Sequence, residues 1–237
     1  MQSTLGEFQE TASQEAFALQ NSKLLKVSLQ QITIQSKLGS MVAYQGDVSF
    51  EHAGSGGMSR LVKKAVTGEG ASLMKISGTG EVFLADQAQD IHLIKLENDQ
   101  ITCNGANVLA FDDGIDWDIK REKGVGALAG GLFNMALSGS GWVAVISDGP
   151  PVLLQTGDAP TYADPSAAIT WASSVQTSIK TDVNLKTLIG KGSGETVQMA
   201  FSGPGWVLVQ PSEGRVQPAA AGQGSGGGGG LLGNLGG

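Results

Sequence analysis

Two histidines, one cysteine and a cluster of aspartates are the residues of this chain best suited to chemistry, and their spacing limits what they can do. Metal centres built on β-barrels gather several histidines and a carboxylate around one ion. Here His52 and His92 are the only histidines, 40 positions apart, with Glu51 beside the first. Neither belongs to a His-x-His pair, so the spacing predicts structural or surface histidines and no metal centre. Asp112, Asp113, Asp116 and Asp118 have the density of a calcium loop, but no complete EF-hand pattern follows. They read as a polar strand edge. Gly190-Lys191-Gly192-Ser193-Gly194 resembles a phosphate loop, but Leu185 stands where the first glycine belongs and glycine follows the lysine. A Ser–His–Asp constellation needs only convergence in space, and no Gly-x-Ser-x-Gly elbow announces one. Cys103 has no charged neighbour in sequence, so nothing activates it as a nucleophile. The expectation is a chain with no catalytic, cofactor-binding or metal-ligating set: not an enzyme.

The elements around these residues repeat. Met74-Lys75-Ile76-Ser77-Gly78-Thr79-Gly80-Glu81-Val82 returns as Met135-Ala136-Leu137-Ser138-Gly139-Ser140-Gly141-Trp142-Val143. It returns again as Met199-Ala200-Phe201-Ser202-Gly203-Pro204-Gly205-Trp206-Val207. Apolar residues alternate on both sides of each Gly-x-Gly, which predicts two strands with one buried face joined by a hairpin turn. An earlier half aligns too: Gly39–Tyr44, Gly105–Phe111 and Pro165–Trp171 each run from a small residue through an apolar strand to an aromatic. Asp86, Asp148 and Glu213 close the arms. Trp142 and Trp206 stand where the first unit has Glu81, positions suited to packing between units.

The units run approximately 22–88, 89–155 and 156–213, within one body over 1–217. The connectors between halves read as short helices in the first two, Met58–Val66 and Val125–Leu137, and as irregular Lys186–Glu195 in the third. Short antiparallel strands around these connectors make each unit a small β-sandwich or barrel. Three similar units in one chain suggest a pseudo-threefold arrangement. The predicted fold class is all-β.

Composition narrows the function classes. Charged residues make up 16% of the 237, glycine numbers 36 and net charge is −7. Such a field repels phosphate, so nucleic-acid binding is not expected. Arg60, Lys63 and Lys64 are the densest basic group and read as a solvated face. Residues 124–147 carry no charge over 24 positions, enough to cross a bilayer. The equivalent stretches of the other units carry Arg60, Lys63, Lys64, Glu69, Lys75 and Glu81, or Lys191 and Glu195, which argues against a span. The run is expected to be an apolar helix with Val125, Leu128, Leu132, Phe133 and Leu137, either buried or a contact surface for a partner, a second copy or a membrane surface. Met1–Gln14 lacks the Lys, Arg and apolar core of a targeting signal, and a lone cysteine forms no intrachain disulfide; both point to the cytoplasm.

Residues 218–237, PAAAGQGSGGGGGLLGNLGG, read as a flexible Gly-rich tail bearing Leu231, Leu232 and Leu235 as an apolar sticker.

The segment Gly39-Ser40-Met41-Val42-Ala43-Tyr44-Gln45-Gly46-Asp47-Val48 and the Gly-x-Gly motifs resemble those of a known family. So do Thr67-Gly68-Glu69-Gly70 and Val209-Gln210-Pro211-Ser212-Glu213. It is the mitochondrial-biogenesis family named for "altered inheritance of mitochondria", number twenty-four in that series, which also has bacterial members. The resemblance covers roughly residues 18–213. It implies a fold similar to the tryptophan RNA-binding attenuation protein: a short double-stranded β-helix present three times with pseudo-threefold symmetry. Eukaryotic relatives are linked to inner-membrane organisation; the missing transit peptide makes this a bacterial-type member. RNA binding does not carry over, because no row of basic residues accompanies the motifs. The expected function is that of a non-catalytic structural or interaction protein with protein partners or self-association. The alternative is a small-ligand module with its site between lobes or at the axis.

Overall fold

A computed structural model describes residues 3–52, 73–121, 133–181 and 197–212. The helix expected at 58–66, the connector at 186–195, the basic group at Arg60, Lys63 and Lys64, the loop Gly190–Gly194 and the tail 218–237 lie outside these residues.

Period-two patterning extends into long strands. The first group comprises β1 (Phe17–Asn21), β2 (Leu24–Lys37), β3 (Met41–His52) and β4 (Leu73–Leu84). The second comprises β5 (Asp90–Asn104), β6 (Val108–Asp112), β7 (Asp116–Arg121) and β8 (Phe133–Ser147). The third comprises β9 (Val152–Thr156), β10 (Thr161–Ala163), β11 (Ala168–Ala172), β12 (Gln176–Thr181), β13 (Val197–Ser202) and β14 (Gly205–Val209). The described residues are thus almost wholly β, in antiparallel sheets. One sheet runs β3-β4-β2-β6-β8-β5-β11-β14-β9, with β1 added to β2 and β7 to β8; a smaller sheet runs β10-β13-β12.

The Gly-x-Gly motifs do not form hairpins. β4 passes straight through Gly78 and Gly80, and β8 through Gly139 and Gly141. Positive φ at Gly78 (126°) and Gly80 (153°) bends the strand without reversing it. Meanwhile β3 stays in register on both sides, Gln45 opposite Glu81 and Ser49 opposite Ser77. The glycines are needed because the two backbones close on each other: a Cβ on Gly78 would overlap the carbonyl oxygen of Asp47. The opposite partner accommodates the bend with a bulge, at Gln31 (φ 60°) in β2 and Asn98 (φ 54°) in β5. In the third group the bend becomes a break. Pro204 supplies no N–H to a ladder, so β13 and β14 separate and join different sheets.

The apolar helix expected over Val125–Leu137 is also corrected where it is visible. Residues 133–137 belong to β8, paired with β5 on one side and β7 on the other. Met135 and Leu137 are buried between these neighbours, and Ala136 nearly so. An apolar run buried on both faces loses the alternation that distinguishes strand from helix. No helix among the described residues is long and apolar enough to cross a membrane.

In each group one strand is flanked by two others, and the pairing repeats. Val82 lies opposite Val27 and Tyr44, Val143 opposite Ile94 and Phe111, and Val207 opposite Leu154 and Trp171. Neighbouring groups are stitched by short ladders, Ile34–Ser36 with Ala110–Asp112 and Ile101–Cys103 with Thr170–Ala172. The core divides into three clusters. The first holds Val27, Ile34, Ile76 and Val82 and also takes in Leu109 and Ile146 from the second group. The second centres on Ile101, Phe111, Leu137 and Val143 and includes Leu73 from β4. The third sets Trp171 edge-on to Phe201 at 5.6 Å, a geometry worth about 1 kcal/mol beyond area burial. Side chains of one group thus enter the core cluster of its neighbour.

Candidate functional site

The polar groups singled out in the sequence are spread along strand junctions. Asp112, at the end of β6, turns its Oδ2 toward β8 and accepts the backbone N–H of Trp142 at 2.6 Å. Burial pushes its carboxyl up and that hydrogen bond opposes the rise. Asp113 faces β2 and β4 instead, accepting Gln35 Nε2 at 2.8 Å and pairing with Lys75 Nζ at 3.0 Å. Asp116 and Asp118 project into solvent from β7. Asp112 and Asp113 thus serve separate junctions. Among the described residues, no three His, Cys, Asp or Glu gather as a metal set would require.

His92 meets a serine. Its Nε2 lies 2.8 Å from Ser147 Oγ, with Asp90 two positions earlier on the same strand. The polarity is wrong for nucleophilic catalysis. Ser147 Oγ donates to the Gly149 carbonyl at 2.7 Å, so the imidazole supplies the hydrogen between the two. An activated serine must instead give its proton to the imidazole. Ser147 is also 0% exposed, which denies a substrate access. Burial lowers the His92 pKa, with Asp90 opposing, so the ring is neutral at pH 7. Asp90 pairs with Lys23 at 3.1 Å.

Cys103 is fully buried, and its thiol contacts Thr170 Oγ1 at 3.2 Å. Burial pushes it up to about 12, so it carries no thiolate at neutral pH.

Sequence reasoning missed the densest ionic cluster. Lys26, only 7% exposed, bridges Glu81 at 2.7 Å and Glu10 at 3.1 Å, while Gln45 Nε2 donates to both carboxylates at 2.7 Å. Lys26 also donates to the Thr11 carbonyl. These contacts fasten the N-terminal arm across β2, β4 and β3. The hydrogen bond to Glu81 is the main cause raising the Lys26 pKa, and the reciprocal bond lowers that of Glu81. Glu10 lies outside the repeat, so no periodic signal announces the cluster. At the equivalent of Glu81, Trp142 carries the Lys95 ammonium 5.3 Å above its ring, and Trp206 packs on the second core cluster.

A second missed junction is Gln210. Its Oε1 accepts the Asp148 N–H at 3.0 Å, and its Nε2 donates to the Ser166 carbonyl at 3.1 Å. It ties the end of β14 to the turns before β9 and β11.

A family described as Mitochondrial biogenesis AIM24 matches residues 17–212, the span from β1 to just past β14. The chain belongs to this family. An X-ray structure of a Streptococcus pyogenes protein superposes on this AIM24 chain with a TM-score of 0.68 at 21% identity, covering 83% of this chain and 92% of that one. At that identity the likeness concerns fold. No curated protein matches the sequence.

Among the described residues, several of the exposed large apolar side chains lie at sheet edges. β3 ends the large sheet on one side and exposes Met41, Val42 (60%) and Tyr44. β9 ends it on the other and exposes Val152 and Leu153. The 3-10 turn Leu5–Phe8 adds two more exposed apolar side chains, Leu5 and Phe8.

Proposed function

We propose that this AIM24 member is a non-catalytic structural or interaction protein, with the edge strand β3 as its contact surface for protein partners or a second copy. One observation carries the reading: the ionisable side chains of the junctions are paired within the fold, while among the described residues no strand takes the outer edge of β3, which exposes apolar side chains. An exposed strand edge with Met41, Val42 and Tyr44 favours pairing with another chain. In this reading residues 1–217 form one body of three similar units, 22–88, 89–155 and 156–213, with pseudo-threefold symmetry like that of the tryptophan RNA-binding attenuation protein. The common registers of Val82, Val143 and Val207 support it. We place the protein in the cytoplasm, supported by its single cysteine, and without nucleic-acid partners, supported by its net charge of −7.

The test is cross-linking and affinity purification from the native cell, with sedimentation of the purified protein. Val42→Lys with Tyr44→Glu on the β3 edge should abolish the captured partners or the self-association while leaving the melting temperature within about 2 °C. Identical captures and identical sedimentation in both forms would refute the assignment. Turnover that is lost on mutating His92 alone would restore an enzymatic reading.

A further inference from the structure

The two ladders that join neighbouring groups use the same positions each time. In the first, Ile34, Gln35 and Ser36 of β2 lie opposite Asp112, Phe111 and Ala110 of β6. In the second, Ile101, Thr102 and Cys103 of β5 lie opposite Ala172, Trp171 and Thr170 of β11. On their other side the two leading triplets face equivalent partners: Gln35 lies opposite Lys75 and Ser36 opposite Met74, as Thr102 lies opposite Ala136 and Cys103 opposite Met135. β10 holds the leading place in the third group, with Tyr162 opposite Ala200 and Ala163 opposite Met199. β3 holds the receiving place in the first group: Tyr44 lies opposite Val82 as Phe111 lies opposite Val143 and Trp171 opposite Val207. One triplet of each kind therefore remains, Thr161-Tyr162-Ala163 and Ala43-Tyr44-Gln45. Among the described residues neither takes a strand on its outer edge.

Burial follows the ladders. Where one forms, the receiving aromatics Phe111 and Trp171 are 0% and 2% exposed, and Gln35 and Thr102 opposite them are buried as well. At the two remaining triplets Tyr44 is 51% exposed and Tyr162 41%. These two tyrosines hold the places that lie directly opposite each other in both existing ladders. Neither triplet contains a charged residue, so bringing the strands together buries no charge and opposes no like charges. Ala43 and Ala163 would also fall opposite each other, small against small, beside the two rings. A tyrosine ring buries a large apolar face and keeps its hydroxyl at the rim, which suits a contact that forms from solvent.

We propose that β10 of one chain pairs antiparallel with β3 of a second copy, Thr161 opposite Gln45, Tyr162 opposite Tyr44 and Ala163 opposite Ala43. The ladder that twice joins groups within the chain would then recur between chains. This rests on the assignment of β3 as a contact surface and names what that surface takes. Within one chain β3 and β10 belong to different sheets and do not pair, so the match is made between copies. Each chain offers one edge of each kind. The contact is therefore heterologous, and copies add head to tail into a ring or a filament instead of closing as a symmetric pair. Backbone bonds along the strands give the register, and the two tyrosines supply the apolar area.

Cysteine cross-linking of the full chain tests the register. Tyr44→Cys and Tyr162→Cys variants, purified separately and mixed under mild oxidation, should give a dimer linked between positions 44 and 162, because directly opposite residues have Cβ atoms about 5 Å apart. The native Cys103 is buried and stays out of the reaction. Tyr44→Cys mixed with Leu153→Cys, which is exposed on β9, should give at least about tenfold less product. Equal yields from the two mixtures overturn the proposal. So does a Tyr44→Cys dimer that forms as fast alone, which would make the contact a symmetric β3 pair. A concentration-independent link within one chain carrying both cysteines also overturns it, since β10 would then close on its own β3. Tyr162→Glu should lower the sedimenting mass as far as the β3 double variant does. If only the β3 variant changes sedimentation or captured partners, β3 keeps its role and β10 is not what it binds.

Discussion

Asp112 and Trp142 are joined across the β6–β8 junction by a 2.6 Å hydrogen bond from the Trp142 backbone N–H to Asp112 Oδ2. The preceding residue is glycine for a reason visible in that bond. A Cβ on Gly141 would lie 2.6 Å from the same carboxylate oxygen, and its φ is 147°. The carboxylate can approach only because residue 141 has no side chain.

Gly141→Val should therefore lose about 2–4 kcal/mol of unfolding free energy, through the overlap with Asp112 and the disfavoured φ. Gly114→Ala is the control. A Cβ there meets nothing within 4 Å, so its denaturation midpoint should match the native protein. Equal midpoints for both variants would show that the bend tolerates a side chain.

The N-terminal arm depends on Lys26. Lys26→Ala removes the cation shared by Glu10 and Glu81; both carboxylates are partly exposed and regain water, which limits the loss to about 1 kcal/mol. Limited proteolysis should become faster within residues 3–16, with the rest of the digest unchanged. An unaltered digest would mean the arm is held by other contacts.

His92 sets an acid limit. Its folded pKa lies below the ordinary value because the ring is partly desolvated. The unfolded state therefore binds the proton more readily, so the contribution of the neutral ring is complete above about pH 6.5 and is lost as pH falls through the folded pKa. Denaturant midpoints measured from pH 7.5 to 5 should fall for the native protein and fall less for His92→Asn. Parallel curves would remove His92 as the titrating group.

Cys103 should be silent to thiol reagents. Buried beside Thr170, with its pKa pushed up to about 12, it should resist a soluble disulfide reagent at pH 8 and react at once in denaturant. Thr170→Val should cost about 1–3 kcal/mol, since Thr170 Oγ1 donates to the buried Thr102 carbonyl at 3.0 Å. Native-state labelling would show that the β5–β11 ladder opens.

Local chemistry in the sequence determined a good deal. Alternation marked Met74–Ile76 and Met199–Phe201 as strands, and the alignment of Tyr44, Phe111 and Trp171 anticipated their common register opposite Val82, Val143 and Val207. What the Gly-x-Gly motifs do was decided only in three dimensions. Positive φ suits a reversal and a bend equally, and the outcome rests on whether a partner strand, distant in sequence, continues past the glycines, as β3 does past Gly78 and Gly80. The same holds for Met135–Leu137, where burial between two strands erased the periodicity, and for Lys26, whose partner Glu10 comes from an arm with no repeat to announce it. Sequence encodes the conformations a segment can adopt; which neighbour covers it depends on contacts between residues far apart in the chain, and these formed the junctions.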